Sequence, residues 1–322
     1  MLTKILVPFD GSLVAARILP YALKLAQVTR GELVLLRVIP TLERDRDSHA
    51  QQQEHQAHHY LESLKALLTA VTQAGALAGE SVQVAVVHGH PARAIADAAV
   101  KAGASLILMS THGRSGLSQL VLGSTALEVV QQTALPVMLV RPNPSAEKEV
   151  ELSALLREKP VSLEGPMVLT LDGSPEAEVA LKPALDLAEA ADLPLHLLRV
   201  LHPFIPADEL APWYADHLDI PPEKLHQEAF SYIRSQADRY LQAVKFPEAA
   251  KIRADQRVLR EGEPANEIIK YAQEVKAAVV VMATHAPNRF EQAVLGSVAD
   301  RVLCHGRLPV IMVHISPRQK EL

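Results

Sequence analysis

Two short segments of the sequence combine turn residues, hydroxyl groups and a carboxylate, the residue types that suit an anionic ligand. The first, PFDGS at residues 8–12, follows an apolar run. The second begins with STHG at residues 110–113, also after an apolar run, and ends with GST at residues 123–125. A glycine followed by serine and threonine at a helix start offers bare backbone N–H groups, hydroxyl donors and the positive end of the helix dipole. The second segment is therefore predicted to bind an anion.

The elements that must position these segments alternate between strand and helix signals. Strands are predicted in the first half at 4–7, 32–38, 82–87, 106–109 and 137–140, with helical spacing at 18–26, 49–72, 92–101 and 124–132. This alternation predicts a parallel sheet, and strands that are apolar on both sides predict helices on both of its faces. Ligands of open parallel sheets bind beyond the carboxyl ends of the strands, where strand order reverses. We therefore expect the two segments to meet at that edge.

The sequence contains an internal repeat, in which the same motifs occur in the same order in both halves. The DGS triplet at residues 10–12 returns at 172–174, a shift of 172 − 10 = 162 residues. The GS pair at 123–124 returns at 296–297, a shift of 296 − 123 = 173 residues. Two tandem domains are predicted, and the second carries 173 − 162 = 11 additional residues.

The predicted boundaries follow from this repeat. The first domain spans 1–141, a polar linker spans 142–164, and the second domain spans 165–316. The additional residues are assigned to an insertion near 203–222, which contains Trp213, the only tryptophan. The final strands of the two domains would lie at apolar sheet edges. The unpaired backbone N–H and C=O groups of such an edge favour pairing with another strand. We expect these strands to pair with each other about a local two-fold axis.

These motifs resemble the universal stress protein family in its tandem, two-domain form. The nucleotide signature of that family is Gly, two residues, Gly, nine residues, then Gly-Ser or Gly-Thr. Here the first half has Ser110, two residues, Gly113, nine residues, then Gly123 and Ser124, so only the leading glycine differs. The resemblance implies, in each domain, an α/β fold with a five-stranded parallel sheet of order 3-2-1-4-5.

The resemblance also implies a ligand, ATP, with or without Mg²⁺. Asp10 and the backbone at Val38 would hold the adenosine end, and the loop at Ser110 and Gly113 would hold phosphates together with the start of the following helix. The complete set of expected nucleotide-binding residues is Pro8, Asp10, Val38, Met109, Ser110, Gly113, Gly123, Ser124 and Thr125. No catalytic residue and no metal ligand of the protein is predicted.

The second half departs further from the signature. Asp172, Gly296 and Ser297 are retained, but Ala283 and Ala286 replace both loop glycines of the family's motif; the other departures are Pro287 and, at the position of Pro8, Thr170. A proline removes a backbone donor from the loop. The second site is predicted to be weakened or lost, and about one nucleotide is expected per chain, within residues 1–141.

Simpler interpretations stand beside these. Asp10 is also explained as a turn or helix cap, because Asp-Gly-Ser is ordinary turn chemistry. The GS pair at 123–124 is also explained as a plain helix start. The histidines at 55, 58 and 59 lie at helical spacing, where a solvated face is favoured over a transition-metal site. No G-x-x-x-x-G-K-[ST] motif occurs, so P-loop hydrolysis is not supported.

Composition excludes several classes of protein. A net charge of −5 provides no broad basic face, and 4% aromatic residues provide few rings for stacking, which disfavours nucleic-acid binding. No apolar run approaches the roughly 20 residues of a membrane-spanning helix. The first residues do not resemble a secretory signal, and Cys304 is the only cysteine, so we expect a cytoplasmic protein.

Two functions from different classes are carried forward. The first is an ATP-binding stress-response or regulatory protein whose output is a change of conformation or protein partner, with at most slow ATP hydrolysis. The alternative is a nucleotide-free scaffold of the same fold that binds protein partners. An adenylyl-transfer enzyme is disfavoured because no HIGH-like motif follows the first strand. A homodimer is left open.

Overall fold

A computed structural model describes residues 3–41, 47–72, 81–111, 122–141, 161, 163–204, 221–247, 255–285 and 295–315. The elements of the first half are β1 Lys4–Phe9, α1 Leu13–Ala16, α2 Leu19–Thr29, β2 Glu32–Ile39, α3 Asp47–Thr72, β3 Val82–His88, α4 Pro91–Ala102, β4 Leu106–Ser110, α5 Ser124–Gln132 and β5 Val137–Val140. Those of the second half are β6 Met167–Thr170, a 3₁₀ helix Ala177–Ala180, α6 Leu181–Ala190, β7 Leu195–Leu201, α7 Pro222–Ala243, β8 Asp255–Glu261, α8 Pro264–Glu274, β9 Val279–His285, α9 Ser297–His305 and β10 Val310–Ile315.

The described strands form one ten-stranded sheet in the order β3-β2-β1-β4-β5-β10-β9-β6-β7-β8. Within each half all neighbouring strands are parallel. Read from each outer edge of the sheet towards the central β5–β10 pair, each half has the order 3-2-1-4-5. The predicted fold class and strand order are therefore confirmed.

The two halves meet through β5 and β10, which pair antiparallel. In this register Met138 lies opposite Ile311, its own counterpart in the repeat (311 − 138 = 173). Val137 lies opposite Met312, and Leu139 opposite Val310, so the pairing is symmetric about the central pair. The expected pairing of the final strands about a local two-fold axis is confirmed.

Helices cover both faces of the sheet, and each face has its own core. One core contains buried leucines from α2, α3, α6 and α7, whereas the other contains buried residues from α4, α5, α8 and α9. Neighbouring strand residues point to opposite faces, so Ile5 and Val7 join the first core and Leu6 joins the second. Each core contains residues from both halves and therefore continues across the β5–β10 junction.

Strand β1 extends two residues further than its apolar run predicts. Its register with β2 continues through Phe9, which lies opposite Arg37, whereas its register with β4 includes only Ile5 and Leu6. Pro8 and Phe9 are thus inside the strand rather than after it. Pro8 is tolerated because the β4 side of the strand is no longer paired at that point. The divergence of β1 from β4 opens a crevice at the carboxyl edge of the sheet.

A short Gly-x-Pro motif in each half turns the chain from a strand into a helix beside this crevice. Gly89 and Gly262 have φ values of 140° and 148°, a conformation that favours glycine. Pro91 and Pro264 then occupy the first positions of α4 and α8, where the missing N–H has no cost. These turns explain why the motif recurs in the repeat.

Several sequence predictions fall wholly or largely outside the described residues. They concern the linker, of which residues 142–160 and 162 are not described, and the insertion with Trp213, of which residues 205–220 are not described.

None of the helices in the described ranges is both long and apolar enough to cross a membrane. Within those same ranges, His, Cys, Asp and Glu side chains form no group that could hold a metal ion, and the histidines at 55, 58 and 59 are no exception.

Candidate functional site

A cavity of about 370 Å³ lies at the carboxyl ends of β1, β2 and β4 in the first half. At this point the strand order reverses, because β2 and β3 lie on one side of β1 and β4 and β5 lie on the other. Open parallel sheets bind ligands at such a point. The described residues of the predicted set all line it: Pro8, Asp10, Val38, Met109, Ser110, Gly123, Ser124 and Thr125. Gly113 lies outside the described residues. The structure thus brings the two sequence segments together, and their role in binding remains a prediction.

The start of α5 forms one end of the cavity. Gly123 is the N-cap residue, and no side chain caps this helix start. The first bond within the helix runs from Leu127 N to Gly123 O at 3.0 Å, so the N–H groups of Ser124, Thr125 and Ala126 precede it without an intrahelical partner. All three residues line the cavity. Uncapped N–H groups beside two hydroxyls are suited to bind a phosphate group.

Gly123 is required by packing rather than by an unusual backbone angle. Its φ is −60°, which any residue can adopt. Its N–H donates to Thr111 O at 2.9 Å, and a Cβ atom added to it would lie 3.0 Å from the same oxygen. A valine here would therefore push the helix start away from β4. A loss of nucleotide binding in Gly123→Val would therefore have two causes, the displaced contact between Gly123 and Thr111 and the blocked approach of the ligand.

Asp10 organises the turn between β1 and α1. Its Oδ1 accepts hydrogen bonds from Ser12 N at 2.9 Å and Ser12 Oγ at 2.6 Å, and Ser12 Oγ in turn accepts from Ala15 N at 3.1 Å. Asp172 and Ser174 form the same turn in the second half, with distances of 2.8 and 2.6 Å. The turn interpretation of the repeated Asp-Gly-Ser is confirmed. It is compatible with a ligand role, because a carboxylate has a second oxygen.

Arg37 is a cavity residue that the sequence interpretation missed. It lines the cavity next to Val38, and its Nη1 donates to Phe9 O at 3.1 Å. A guanidinium at this position adds positive charge to the lining of the same cavity. The available signal was a single arginine within the otherwise apolar end of β2. The other lining residues not predicted are Phe9, Ala15, Pro40, Pro91, Ile95, Thr111 and Ala126.

A second cavity of about 350 Å³ occupies the equivalent place in the second half. Its lining includes Asp172, Gly296 and Ser297, the retained residues, together with Thr170 and Ala283. Ala286 and Pro287, on which the predicted loss of this site partly rested, lie outside the described residues. The second half therefore retains a cavity of similar size, although several of its lining residues differ from those of the first cavity.

The counterpart of Arg37 has a different position. Arg199 does not appear among the described residues lining the second cavity. Its guanidinium lies 5.1 Å from the centre of the Tyr240 ring and packs against Gly173. Burial lowers the pKa of Arg199 from its usual value, an effect that the nearby Tyr240 and Asp172 oppose. The positive charge that borders the first cavity is thus held against an aromatic ring in the second half.

Comparison with known proteins gives consistent results. The model of the "Universal stress protein family" matches residues 1–141 and 165–314. A universal stress protein of Methanocaldococcus jannaschii is 30% identical over 149 residues, covering 46% of this chain and 80% of that protein. One from Mycolicibacterium smegmatis is 27% identical over 262 residues, covering 81% and 78%. The crystal structure of a universal stress protein from Archaeoglobus fulgidus shares the fold, with a TM-score of 0.59, 19% identity and coverage of 97% and 98%.

Proposed function

The chain belongs to the universal stress protein family, in a tandem form with two copies of the domain, and from this premise we propose that its first half binds an adenine nucleotide. ATP, with or without Mg²⁺, is the proposed ligand. The protein would act as a regulatory or stress-response component whose conformation or protein partner depends on the bound nucleotide. We place this activity in the cytoplasm, in agreement with a sequence that has a single cysteine.

The observation that carries the proposal is the composition of the first cavity. Its volume of about 370 Å³ is within the range of small-molecule sites. Val38, Ile95 and Met109 provide apolar walls for a base at one part of the cavity. The uncapped start of α5, its hydroxyls and Arg37 provide donors and positive charge for phosphates. Asp10 offers a carboxylate acceptor for ribose hydroxyls.

We propose a binding protein rather than an efficient enzyme. Fast phosphoryl transfer depends on a clamp of positive charge and a positioned nucleophile or water. The sequence has no P-loop lysine to supply the clamp. Slow hydrolysis of bound ATP remains compatible with the proposal.

Calorimetric titration of the full chain with ATP is expected to give about one site, and Asp10→Asn is expected to weaken it about tenfold or more, because a charge-assisted hydrogen bond is lost. Asparagine keeps an oxygen acceptor for Ser12, so the turn survives. The matched control is Asp172→Asn, which should leave ATP affinity unchanged. Equal sensitivity to both variants, or two equal ATP sites, would contradict the assignment to the first half.

A nucleotide-free scaffold is the second candidate. The observation that favours it is the identical Asp-Gly-Ser turn in both halves, which gives Asp10 and Asp172 a structural purpose without any ligand. Its output would be contact with protein partners alone. Nucleotide analysis of the purified protein, followed by the titration above, separates the two candidates, since a scaffold contains no nucleotide and takes up none.

A further inference from the structure

We propose that the cavity of the second half binds an uncharged nucleoside of the adenosine type and discriminates against its phosphorylated forms. The assignment of a base and a ribose to this cavity rests on the proposed function of the first half. The discrimination against phosphate rests on differences between the two cavities that the structure displays side by side.

The part of the cavity assigned to base and ribose shares three apolar residues, a carboxylate and a proline between the two halves. Val200, Ile268 and Met282 line the second cavity where Val38, Ile95 and Met109 line the first, so each apolar wall is an identical residue. The carboxylates also correspond, and both cavities include the proline that begins the neighbouring helix, α4 or α8. A ring system that packs on Val38, Ile95 and Met109 in the first cavity therefore meets three identical side chains in the second.

The opposite part of the cavity has fewer hydroxyl groups in the second half than in the first. Ala283 stands where the first half has Ser110, and Val298 stands where it has Thr125; both line the cavity. The hydroxyl of Thr284, which also lines it, donates to Leu295 O at 2.7 Å and is already engaged. Of the hydroxyls at the start of α5, only that of Ser124 has a counterpart, in Ser297. Two hydroxyl groups that line the first cavity are thus absent from the described lining of the second.

The two cavities also differ in the charged residues of their lining and in the first turn of the neighbouring helix. The first turn of α9 contains Asp300, whereas the first turn of α5 contains no acidic residue and has Leu127 at the corresponding position. An acid in the first turn offsets the positive end of the helix dipole. Among the described lining residues of the second cavity, Asp172 is the only charged one, because Arg199 packs on Tyr240 instead. The described lining of the first cavity therefore contains one acid and one base, Asp10 and Arg37, whereas that of the second contains an acid alone.

The start of α9 also differs in backbone conformation. Gly296 has φ 88°, whereas Gly123 has φ −60°. A Cβ atom added at Gly296 would meet nothing within 4 Å, in contrast to the close approach of Gly123 to Thr111. The backbone leading into α9 is therefore arranged differently from the backbone that presents the N–H groups of α5.

Adenosine titration of the full chain tests the proposal. Protein saturated with ATP is expected to take up about one adenosine per chain, and Asp172→Asn is expected to weaken this uptake about tenfold or more. Asp10→Asn should leave it unchanged. Absence of adenosine uptake by the ATP-saturated protein, or uptake that is indifferent to Asp172→Asn, overturns the proposal. If ATP fails to bind anywhere, adenosine uptake that depends on Asp172 still supports the second site, so failure of the first-half assignment is recognised separately.

A converted cavity provides a gain-of-binding test. The variant Ala283→Ser, Val298→Thr, Asp300→Leu gives the second half the residues of the first at these positions. All three changes introduce side chains that the fold already accommodates in the other half, and circular dichroism checks that the variant is folded. ATP stoichiometry is expected to rise from about one to about two. A folded variant that still binds a single ATP overturns the assignment of phosphate discrimination to these residues.

Discussion

Replacing Ile311 by aspartate is expected to destabilise both halves of the chain together, by about 4 kcal/mol or more, because a charge would replace a buried apolar side chain at their junction. Ile311 is 2% exposed and lies opposite Met138 in the antiparallel pairing of β5 with β10. Total stabilities of natural domains are about 5–15 kcal/mol, so much of the protein would be unfolded under mild denaturant. Urea denaturation followed by circular dichroism measures the loss.

Val100→Asp is the matched control for this variant. Val100 is an apolar residue of similar size that is 72% exposed on α4, so a charge there remains solvated. Its effect should be about 1 kcal/mol or less. Hydrogen exchange adds a second readout, since Ile311→Asp should reduce protection of the amides in β5 as well as β10. An Ile311→Asp protein as stable as the Val100→Asp protein would mean that the junction is not formed in solution.

Replacing Ser124 by aspartate is expected to abolish ATP binding without harming the fold, with a loss of affinity of roughly a hundredfold or more, about 3 kcal/mol. Ser124 is exposed and lines the first cavity at the start of α5. A carboxylate there repels phosphate and competes for the bare N–H groups. The same carboxylate stabilises the helix through its dipole, so thermal stability should be unchanged or slightly raised.

The equivalent change in the second half is Ser297→Asp. Ser297 is also exposed and begins α9 in the same position. ATP titration of this variant should match the parent in affinity and in stoichiometry. If Ser124→Asp binds ATP as tightly as the parent, or if Ser297→Asp is the variant that loses binding, the phosphate end of the site has been placed in the wrong half.

The parallel sheet and the two-domain organisation were predictable because they depend on periodicity and on the repeat, whereas the strand order was predicted from the resemblance to the family. Short apolar runs separated by helical spacing determine a parallel sheet, and the recurrence of the same motifs in the same order determines two such domains. The end of β1 was less predictable, because the extension through Phe9 depends on where its two neighbours diverge. That divergence is a property of the assembled sheet rather than of any local segment.

The site was predictable where its residues lie at strand ends, as Asp10 and Ser110 do. Arg37 was not predicted, because the position of its side chain depends on tertiary packing. The side chain of Arg37 borders the cavity, whereas that of its counterpart Arg199 stacks on an aromatic ring. The exchange of Thr125 for Val298 was visible in the sequence, through the shift of 173 residues, but became informative only when both were found to line equivalent cavities.

The symmetric register of β5 on β10 has a consequence for assembly. Separate subunits that met through this strand would associate only above their dissociation constant and would form pairs of identical members. In a single chain the partner is always present at a high effective concentration, so the pair persists at any dilution. The chain is in this sense an obligate heterodimer with fixed one-to-one composition, in which each member is free to acquire a ligand preference of its own.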